Sequence, residues 1–236
     1  MPPGHSALRR FRLKMRQSMR IGFLGGTGIE GKGLALRFAR AGVSVIIGSR
    51  STERARAAAA QYNQEAGTTL ISGKTNAEML ASSEIVFLTV PFDQAKGAIE
   101  GLRAEFPANL VLVDVTVPVQ FKAGRVDYLE LAEGSNAELI AGLVPEGVQV
   151  AGAFKTIPAH MLAEIDAPLQ CDVFVCSDSS DARAKVMAAA ELIPTLRPLD
   201  AGPLKNARIL ERMTVLAIHL NRHYKKKGAR FRIEGL

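Results

Sequence analysis

The sequence has only two cysteines, four histidines and no long hydrophobic run. Cys171 and Cys176 are too few for a disulfide framework, and the four residues between them match no common zinc or redox spacing. We therefore expect two buried thiols in a reducing compartment, the cytoplasm, and no metal site among the scattered histidines. The longest apolar run, at residues 85–92, is far shorter than the roughly 18 residues of a membrane span, so we expect no membrane association.

The positive charge of the chain is concentrated at its beginning. The sequence has 30 basic and 23 acidic residues, a net charge of +7. Arg9, Arg10, Arg12, Lys14 and Arg16 precede the first acidic residue, so the rest of the chain is nearly neutral. Without a basic face through the fold, we expect no binding to nucleic acid. We interpret residues 1–18 as a disordered basic leader before a folded unit that begins at Met19; a targeting peptide is the alternative.

Apolar runs alternate with helical patterns along most of the chain. Val, Ile and Leu that follow one another without polar alternation are typical of parallel strands covered on both faces. The pattern therefore predicts an α/β fold with a doubly wound, mainly parallel sheet. The predicted strands lie at residues 20–25, 43–48, 83–90, 110–117, 148–153 and 169–176.

The pattern changes after residue 178. We expect a helix at 182–193, a short strand at 196–199 and a second helix that begins near Pro203. We divide the chain into a sheet domain at 19–178 and a small helical C-terminal cap domain at 179–236. The last helix has an apolar stripe that we expect to pack on the sheet domain, formed by Ile209, Met213, Leu216 and Leu220 with Leu210 and Ala217 beside it.

A glycine motif lies between the first predicted strand and the first helix. Residues 26–31 read G-x-G-x-x-G, in the position that a Rossmann-type dinucleotide site requires. Gly26 would allow the tight turn, Gly28 would let the backbone approach a pyrophosphate, and Gly31 would let the helix pack closely on the strand. Backbone amides and the positive end of the helix would then hold the phosphates. The alternative is a strand–helix turn that binds no ligand.

The end of the second strand indicates which nucleotide binds. It carries Ser49 and Arg50, with Arg54 one helical turn later and Glu53 as the nearby acid. A hydroxyl group and guanidinium groups bind a 2′-phosphate through charge-assisted hydrogen bonds. A carboxylate at the strand end would instead repel the 2′-phosphate. We therefore expect NADPH to be preferred over NADH by at least about tenfold. Solvated side chains at a helix start are the alternative.

These residues resemble a known family, the NADPH-dependent reductases of the deazaflavin coenzyme F420. The resemblance covers nearly all of residues 19–236. Its most specific segments are TIPA and LDAGPLKNAR, in this order and spacing. It rests on residues 25–28 (GGTG), 33–42 (GLALRFARAG), 47–50 (IGSR), 88–91 (LTVP), 156–159 (TIPA) and 199–208 (LDAGPLKNAR).

The resemblance implies a small homodimeric enzyme that passes hydride between NADP and the deazaflavin, in a cleft between the sheet domain and the cap. It implies that the diphosphate and 2′-phosphate are held by Thr27, Gly28, Ile29, Glu30, Ser49, Arg50 and Arg54. Val90, Phe92 and Val117 would flank the rest of NADP, Ala159 would approach the nicotinamide, and the turn with Ile157 and Pro158 would support the deazaflavin ring.

Hydride transfer between two rings requires positioning and shielding from water, so we expect no catalytic acid or base. Lys155 departs from the family pattern, which has His or Asn there. Its ammonium would stabilise a reduced deazaflavin anion or indicate a different acceptor; alternatively it points to solvent. Two other functions stay open: an NADPH-dependent reductase of another acceptor such as a flavin, and a non-catalytic NADPH-binding sensor.

Overall fold

The structure is a computed structural model that describes residues 19–122 and 125–236, so the leader predicted at 1–18 lies outside the described residues. The strands are β1 (Arg20–Leu24), β2 (Ser44–Ser49), β3 (Ile71–Thr75), β4 (Ile85–Leu88), β5 (Val111–Asp114), β6 (Val119–Lys122), β7 (Arg125–Tyr128), β8 (Gln149–Gly152), β9 (Cys171–Val175) and β10 (Leu196–Asp200). The main sheet has the order β3-β2-β1-β4-β5-β8, and all its neighbours are parallel. The predicted doubly wound, mainly parallel sheet is confirmed.

Helices connect most of these strands. They are α1 (Ile29–Arg40), α2 (Thr52–Ala66), α3 (Asn76–Ser82), α4 (Phe92–Glu100), α5 (Asn136–Leu143), α6 (Ala159–Ala163), α7 (Ser180–Ala190) and α8 (Ala207–His223). They cover the sheet with two apolar layers. One contains Leu34 and Phe38 of α1, and the other contains Met79 of α3 and Ile140 of α5. Burial on both faces explains why the central strands are continuous apolar runs in the sequence.

Three strands were not predicted because their sequences lack a continuous apolar run. Strand β3 reads ISGKT and lies at the edge of the sheet, where only Ile71 is buried. Strands β6 and β7 pair antiparallel outside the main sheet, and of their side chains Val126 is the one that is buried.

The predicted domain boundary at residue 178 lies between two strands that pair with each other in parallel. Strands β9 and β10 pair with each other across the intervening helix α7. Gly152 and Cys176 exchange two backbone hydrogen bonds that join the end of β9 to the end of β8. The division into a sheet domain and a cap stays a prediction.

The expected orientation of the last helix is wrong for three of the four residues of the predicted stripe; the fourth, Met213, is half-buried and packs against the core. Ile209, Leu216 and Leu220 of α8 are 60%, 50% and 38% exposed, whereas Leu210 and Ala217 are buried. Successive helical residues are rotated by about 100°, so two apolar stripes lie side by side and the sequence does not tell which of them packs inward. The stripe beside the predicted one is the buried one.

The loop and helix after β8 are fixed to α1 by one side chain. The Arg37 guanidinium donates hydrogen bonds to the carbonyls of Leu162, Met161, Glu164 and Ala167 at 2.7–3.0 Å. Gly33 allows this contact, because a Cβ there would lie 2.7 Å from the carbonyl carbon of Leu162. Helix α6, which begins at Ala159, is thereby held against the first helix of the sheet domain.

Both cysteines are buried and free, as the sequence predicts. Burial raises the pKa of each thiol to about 11, so both are protonated at neutral pH. Within residues 19–122 and 125–236, no helix combines the length and the apolar character that a membrane crossing requires.

Candidate functional site

A cleft of about 900 Å³ opens at the carboxyl ends of the central strands. Strand β1 pairs with β2 on one side and with β4 on the other, so the chain order reverses here. Ligands of open α/β sheets bind at such switch points. The cleft is lined by residues from the ends of β1, β2 and β4 and from α4, among them Thr27, Gly28, Ser49, Arg50, Arg54, Asn76, Val90 and Gln94.

The glycine turn is built as expected, except for the role of one glycine. Gly25, not Gly26, has the positive φ of +88° that the tight turn requires, and its carbonyl accepts a hydrogen bond from the Gly28 amide at 3.0 Å. Gly26 instead allows close packing, because a Cβ there would lie 2.8 Å from Cβ of Phe23. The motif therefore brings the backbone of residues 25–28 to the cleft by a turn that begins one residue earlier.

The amino end of α1 is open toward a ligand. Gly28 is its N-cap and supplies no side chain to the free amides of the first turn. Thr27, Gly28 and Ile29 are exposed, and Ile29 is 69% exposed. Free amides at the positive end of a helix bind phosphate, so this end fits a diphosphate.

Glu30 lies in the same first turn and is half-buried. Burial removes water from the carboxyl group and raises its pKa to about 8. The positive charge of Lys155 lowers this pKa, and the negative charge of Asp114 raises it further, but both effects are smaller than that of burial. The carboxyl group is therefore mainly protonated at neutral pH. A neutral acid does not repel a diphosphate, which explains how an acidic residue is compatible with this position.

The residues expected to bind the 2′-phosphate lie together in the cleft. Ser49, Arg50 and Arg54 all line it, and both arginines are exposed without an ion pair to any described residue. The Glu53 carboxylate accepts a hydrogen bond of 2.7 Å from the Ser51 hydroxyl and does not line the cleft. Two free guanidinium groups at one end of the cleft fit a phosphate monoester.

The residues expected at the other end of the nucleotide are arranged less closely. Val90 lines the cleft, whereas Phe92, Val117 and Ala159 do not. They lie along the same edge of the sheet: Phe92 begins α4 after β4, Val117 follows β5, and Ala159 begins α6 after β8. Ile157 is buried and Pro158 is half-buried in the turn before Ala159. Their assignment to the hydride-transfer end stays a prediction.

Lys155 does not point to solvent, so that interpretation is wrong. Its ammonium is fully buried and lies 2.6 Å from Asp114 Oδ2, 2.6 Å from the carbonyl of Thr116 and 3.1 Å from Glu211 Oε1. Burial alone would lower the pKa of Lys155, but the two carboxylates hold it above its usual value. Lys155 is therefore a permanent cation at the carboxyl end of β5.

Sequence analysis missed two polar side chains of the cleft, Asn76 and Gln94. Asn76 begins α3, and its Oδ1 is buried without a hydrogen-bond partner among the described residues. The capping box formed by Thr75 and Glu78 fixes this helix start and could have located it from the sequence. No sequence signal indicates Glu211, which lies far along the chain from the other charges around Lys155.

The chain is similar to known proteins of one family. The family described as NADP oxidoreductase, coenzyme F420-dependent, matches residues 20–118. An F420-dependent NADP reductase of Methanothermobacter thermautotrophicus is 43% identical over 223 residues, covering 92% of this chain and 96% of that protein. The F420-dependent NADP reductase of Methanocaldococcus jannaschii is 34% identical over 224 residues, covering 92% and 99%.

A solved structure shows the same fold. A protein of Arthrobacter sp. FB24, provisionally assigned as an F420-dependent NADP reductase, superimposes with a TM-score of 0.77 at 24% identity, covering 92% of this chain and 99% of that one. At 24% identity this likeness shows the fold alone, and the family is shown by the sequence relatives. This chain belongs to the family of F420-dependent NADP reductases and is an NADP-dependent oxidoreductase.

Proposed function

We propose that this protein transfers hydride directly between NADP(H) and the deazaflavin coenzyme F420. One observation carries the proposal: the cleft joins the uncapped amino end of α1 to the free guanidinium groups of Arg50 and Arg54. This arrangement fits a dinucleotide with an additional phosphate. The family relatives named as F420-dependent supply the identity of the second substrate.

The bound nucleotide supplies a carbon that gives or accepts hydride, and the protein supplies binding and orientation. The amides of the first turn of α1 hold the diphosphate. Glu30 is mainly protonated at neutral pH and therefore does not repel the negative charge of the diphosphate. Ser49, Arg50 and Arg54 hold the 2′-phosphate and thereby favour NADP over NAD.

We assign the hydride-transfer end to the adjacent part of the sheet edge. Phe92, Val117, Ile157, Pro158 and Ala159 follow the ends of β4, β5 and β8, next to the cleft that begins at β1 and β2. They are mostly apolar, which suits a transfer that must exclude water. Direct hydride transfer requires the donor and acceptor carbons of two rings to lie about 3–3.5 Å apart. The main contribution of the chain is therefore to hold the two rings rigidly in place.

Stopped-flow absorbance tests the acceptor. Mixing the protein with NADPH and oxidised F420 should bleach the deazaflavin band in a protein-dependent reaction. Bleaching of free flavins without bleaching of F420 would instead support a flavin reductase. Tight NADPH binding without turnover of any acceptor would support a sensor, and either result would contradict the proposal.

We also propose that the enzyme is a cytoplasmic homodimer. The exposed stripe of α8 supports a second copy as its partner, because the apolar side chains of Ile209, Leu216 and Leu220 are 60%, 50% and 38% exposed in the single chain. Phe121 of β6 is 68% exposed, and its ring lies 5.8 Å from the guanidinium of Arg222 at the end of α8, which extends the face. Two free buried thiols suit a reducing compartment.

A further inference from the structure

One buried carboxylate connects four separate parts of the chain. Glu211 of α8 is fully buried. Its two oxygens accept hydrogen bonds from the backbone amide of Asn136 at 3.1 and 3.2 Å and from the Tyr128 hydroxyl at 2.8 Å. Its Oε1 also lies 3.1 Å from the ammonium of Lys155. Helix α8, the start of α5, strand β7 and the turn after β8 therefore meet at one charge.

Helix α8 contacts Lys155 at two points, its side chain and its backbone. Glu211 contacts the side-chain ammonium of Lys155, and the Thr214 hydroxyl donates a hydrogen bond of 2.8 Å to the carbonyl of the same residue. Glu211 and Thr214 are three residues apart and so lie on one face of the helix. Asp114 contacts the ammonium from the sheet side at 2.6 Å. Both the backbone and the side chain of residue 155 are thereby fixed.

The turn that contains Lys155 has an uncommon backbone conformation. Phe154 has a φ of +58°, which non-glycine residues rarely adopt. Its ring is buried against Phe87 at 5.4 Å and Phe38 at 6.4 Å, so the turn is anchored in the core on one side and in the ion cluster on the other. Such conformations persist only where the surroundings hold them, and they are concentrated at functional sites.

We propose that Glu211 is a positioning residue for hydride transfer. Acting through Lys155, it holds the 154–158 turn, in which Ile157 packs in the core and Pro158 is half-buried, in the conformation that the hydride-transfer end requires. This inference rests on the proposed function, because it assigns that turn to the hydride-transfer end of the site. Asp114, at the end of β5, also holds the ammonium of Lys155. Glu211 itself is fully buried and does not line the cleft.

Glu211→Gln tests the proposal, because the amide keeps the size of the side chain and an oxygen for Asn136 and Tyr128 but removes the charge that faces Lys155. We expect single-turnover hydride transfer from NADPH to F420 to slow by about 10- to 100-fold, the range for a small misplacement of reacting groups. The dissociation constant of NADPH should change by less than about twofold, since the phosphate contacts are elsewhere. Asp181→Asn, which removes an exposed ion pair with Lys185 in α7, is the matched control and should leave both values unchanged.

A double variant separates positioning from stability. Lys155→Met alone leaves two buried carboxylates without a cation and should lower the melting temperature. Lys155→Met with Glu211→Gln removes one charge of each sign and leaves Asp114, but no longer Glu211, as a buried carboxylate without a cation, so part of that loss should be recovered. If the hydride-transfer rate recovers together with the melting temperature, the cluster only stabilises the fold and the proposal is wrong.

Hydrogen exchange tests the same inference without an acceptor. With NADPH bound, Glu211→Gln should increase amide exchange in a peptide that covers residues 153–162 by at least about tenfold, and exchange in β1 should stay as in the wild type. Wild-type exchange in that peptide would overturn the inference. Absence of F420 reduction by the wild-type protein would contradict the proposed acceptor instead, while the exchange result would still decide the role of Glu211.

Discussion

Gly31 of α1 lies directly against Thr89, the residue that follows β4. A Cβ at position 31 would fall 2.6 Å from Thr89 Oγ1 and 2.8 Å from Cα of Gly26. The Thr89 hydroxyl is itself engaged, because it donates a hydrogen bond of 3.1 Å to the carbonyl of Leu24. The first helix therefore touches the glycine turn and the neighbouring strand end at one point that only glycine fits.

Gly31→Ala should displace the glycine turn, because one of the two groups in contact is backbone and cannot move aside. We expect a loss of about 1–3 kcal/mol in the free energy of unfolding. NADPH affinity should fall at least about tenfold, since the displaced amides no longer meet the diphosphate. Chemical denaturation and calorimetry would measure the two effects. Gly142→Ala is the control, since no atom lies within 4 Å of the added Cβ and a helical alanine should be neutral or stabilising.

Arg50→Ala should remove a charge-assisted hydrogen bond to the 2′-phosphate, which contributes about 1.5–3 kcal/mol. We expect NADPH affinity to fall by about 10- to 100-fold and NADH affinity to stay the same. Titration calorimetry with both nucleotides measures the ratio. Arg56→Ala, an exposed change on α2 outside the cleft, should leave the ratio unchanged. An unaltered preference in Arg50→Ala would show that position 50 does not select the nucleotide.

Glu30 should make nucleotide binding depend on pH. Its pKa of about 8 keeps it mainly neutral at pH 7, and deprotonation above pH 8 places an anion in the first turn of α1, whose amides we assign to the diphosphate. NADPH affinity should therefore decrease between pH 7 and pH 9.5 in the wild type, and less so in Glu30→Gln. Calorimetry across that range would test this, and parallel profiles for the two proteins would contradict it.

The same carboxyl group should affect stability in a defined pH window. Its folded pKa of about 8 lies above the value of 4.5 for an unperturbed group, so between these values the folded state holds a proton that the unfolded state has lost. Its contribution to stability therefore falls as pH rises from about 4.5 to about 8. Denaturation midpoints of the wild type should decrease across this window relative to those of Glu30→Gln.

If the protein is the homodimer proposed above, Leu216→Glu should convert it into a monomer, because it places a charge in the exposed stripe of α8. Light scattering coupled to size-exclusion chromatography would measure the mass. Leu70→Glu, which changes a 36% exposed leucine before β3, should leave the mass unchanged. A wild-type monomer, or a dimer that survives Leu216→Glu, would show that this face is not the interface.

Local patterns in the sequence predicted the sheet, and they predicted the residues that we assign to phosphate binding. Each central strand is a continuous apolar run, and the glycine motif and the Ser49–Arg50 pair lie directly beside such runs. Their positions follow from where a strand ends, which the sequence shows. The edge strand β3 and the β6–β7 hairpin were missed because exposed strands need no continuous apolar run.

Residues that are neighbours along the chain are enough to predict the parallel sheet, the position of the dinucleotide turn and a preference for a 2′-phosphate, because each of these depends on a local pattern. Three features became visible in the folded chain and not in the sequence: Gly25 makes the turn, α8 buries Leu210 and not Ile209, and Lys155 contacts Asp114 and Glu211. These features depend on backbone conformation, on helix rotation and on contacts between distant segments. The free energy of packing selects among alternatives that are equivalent in the sequence pattern.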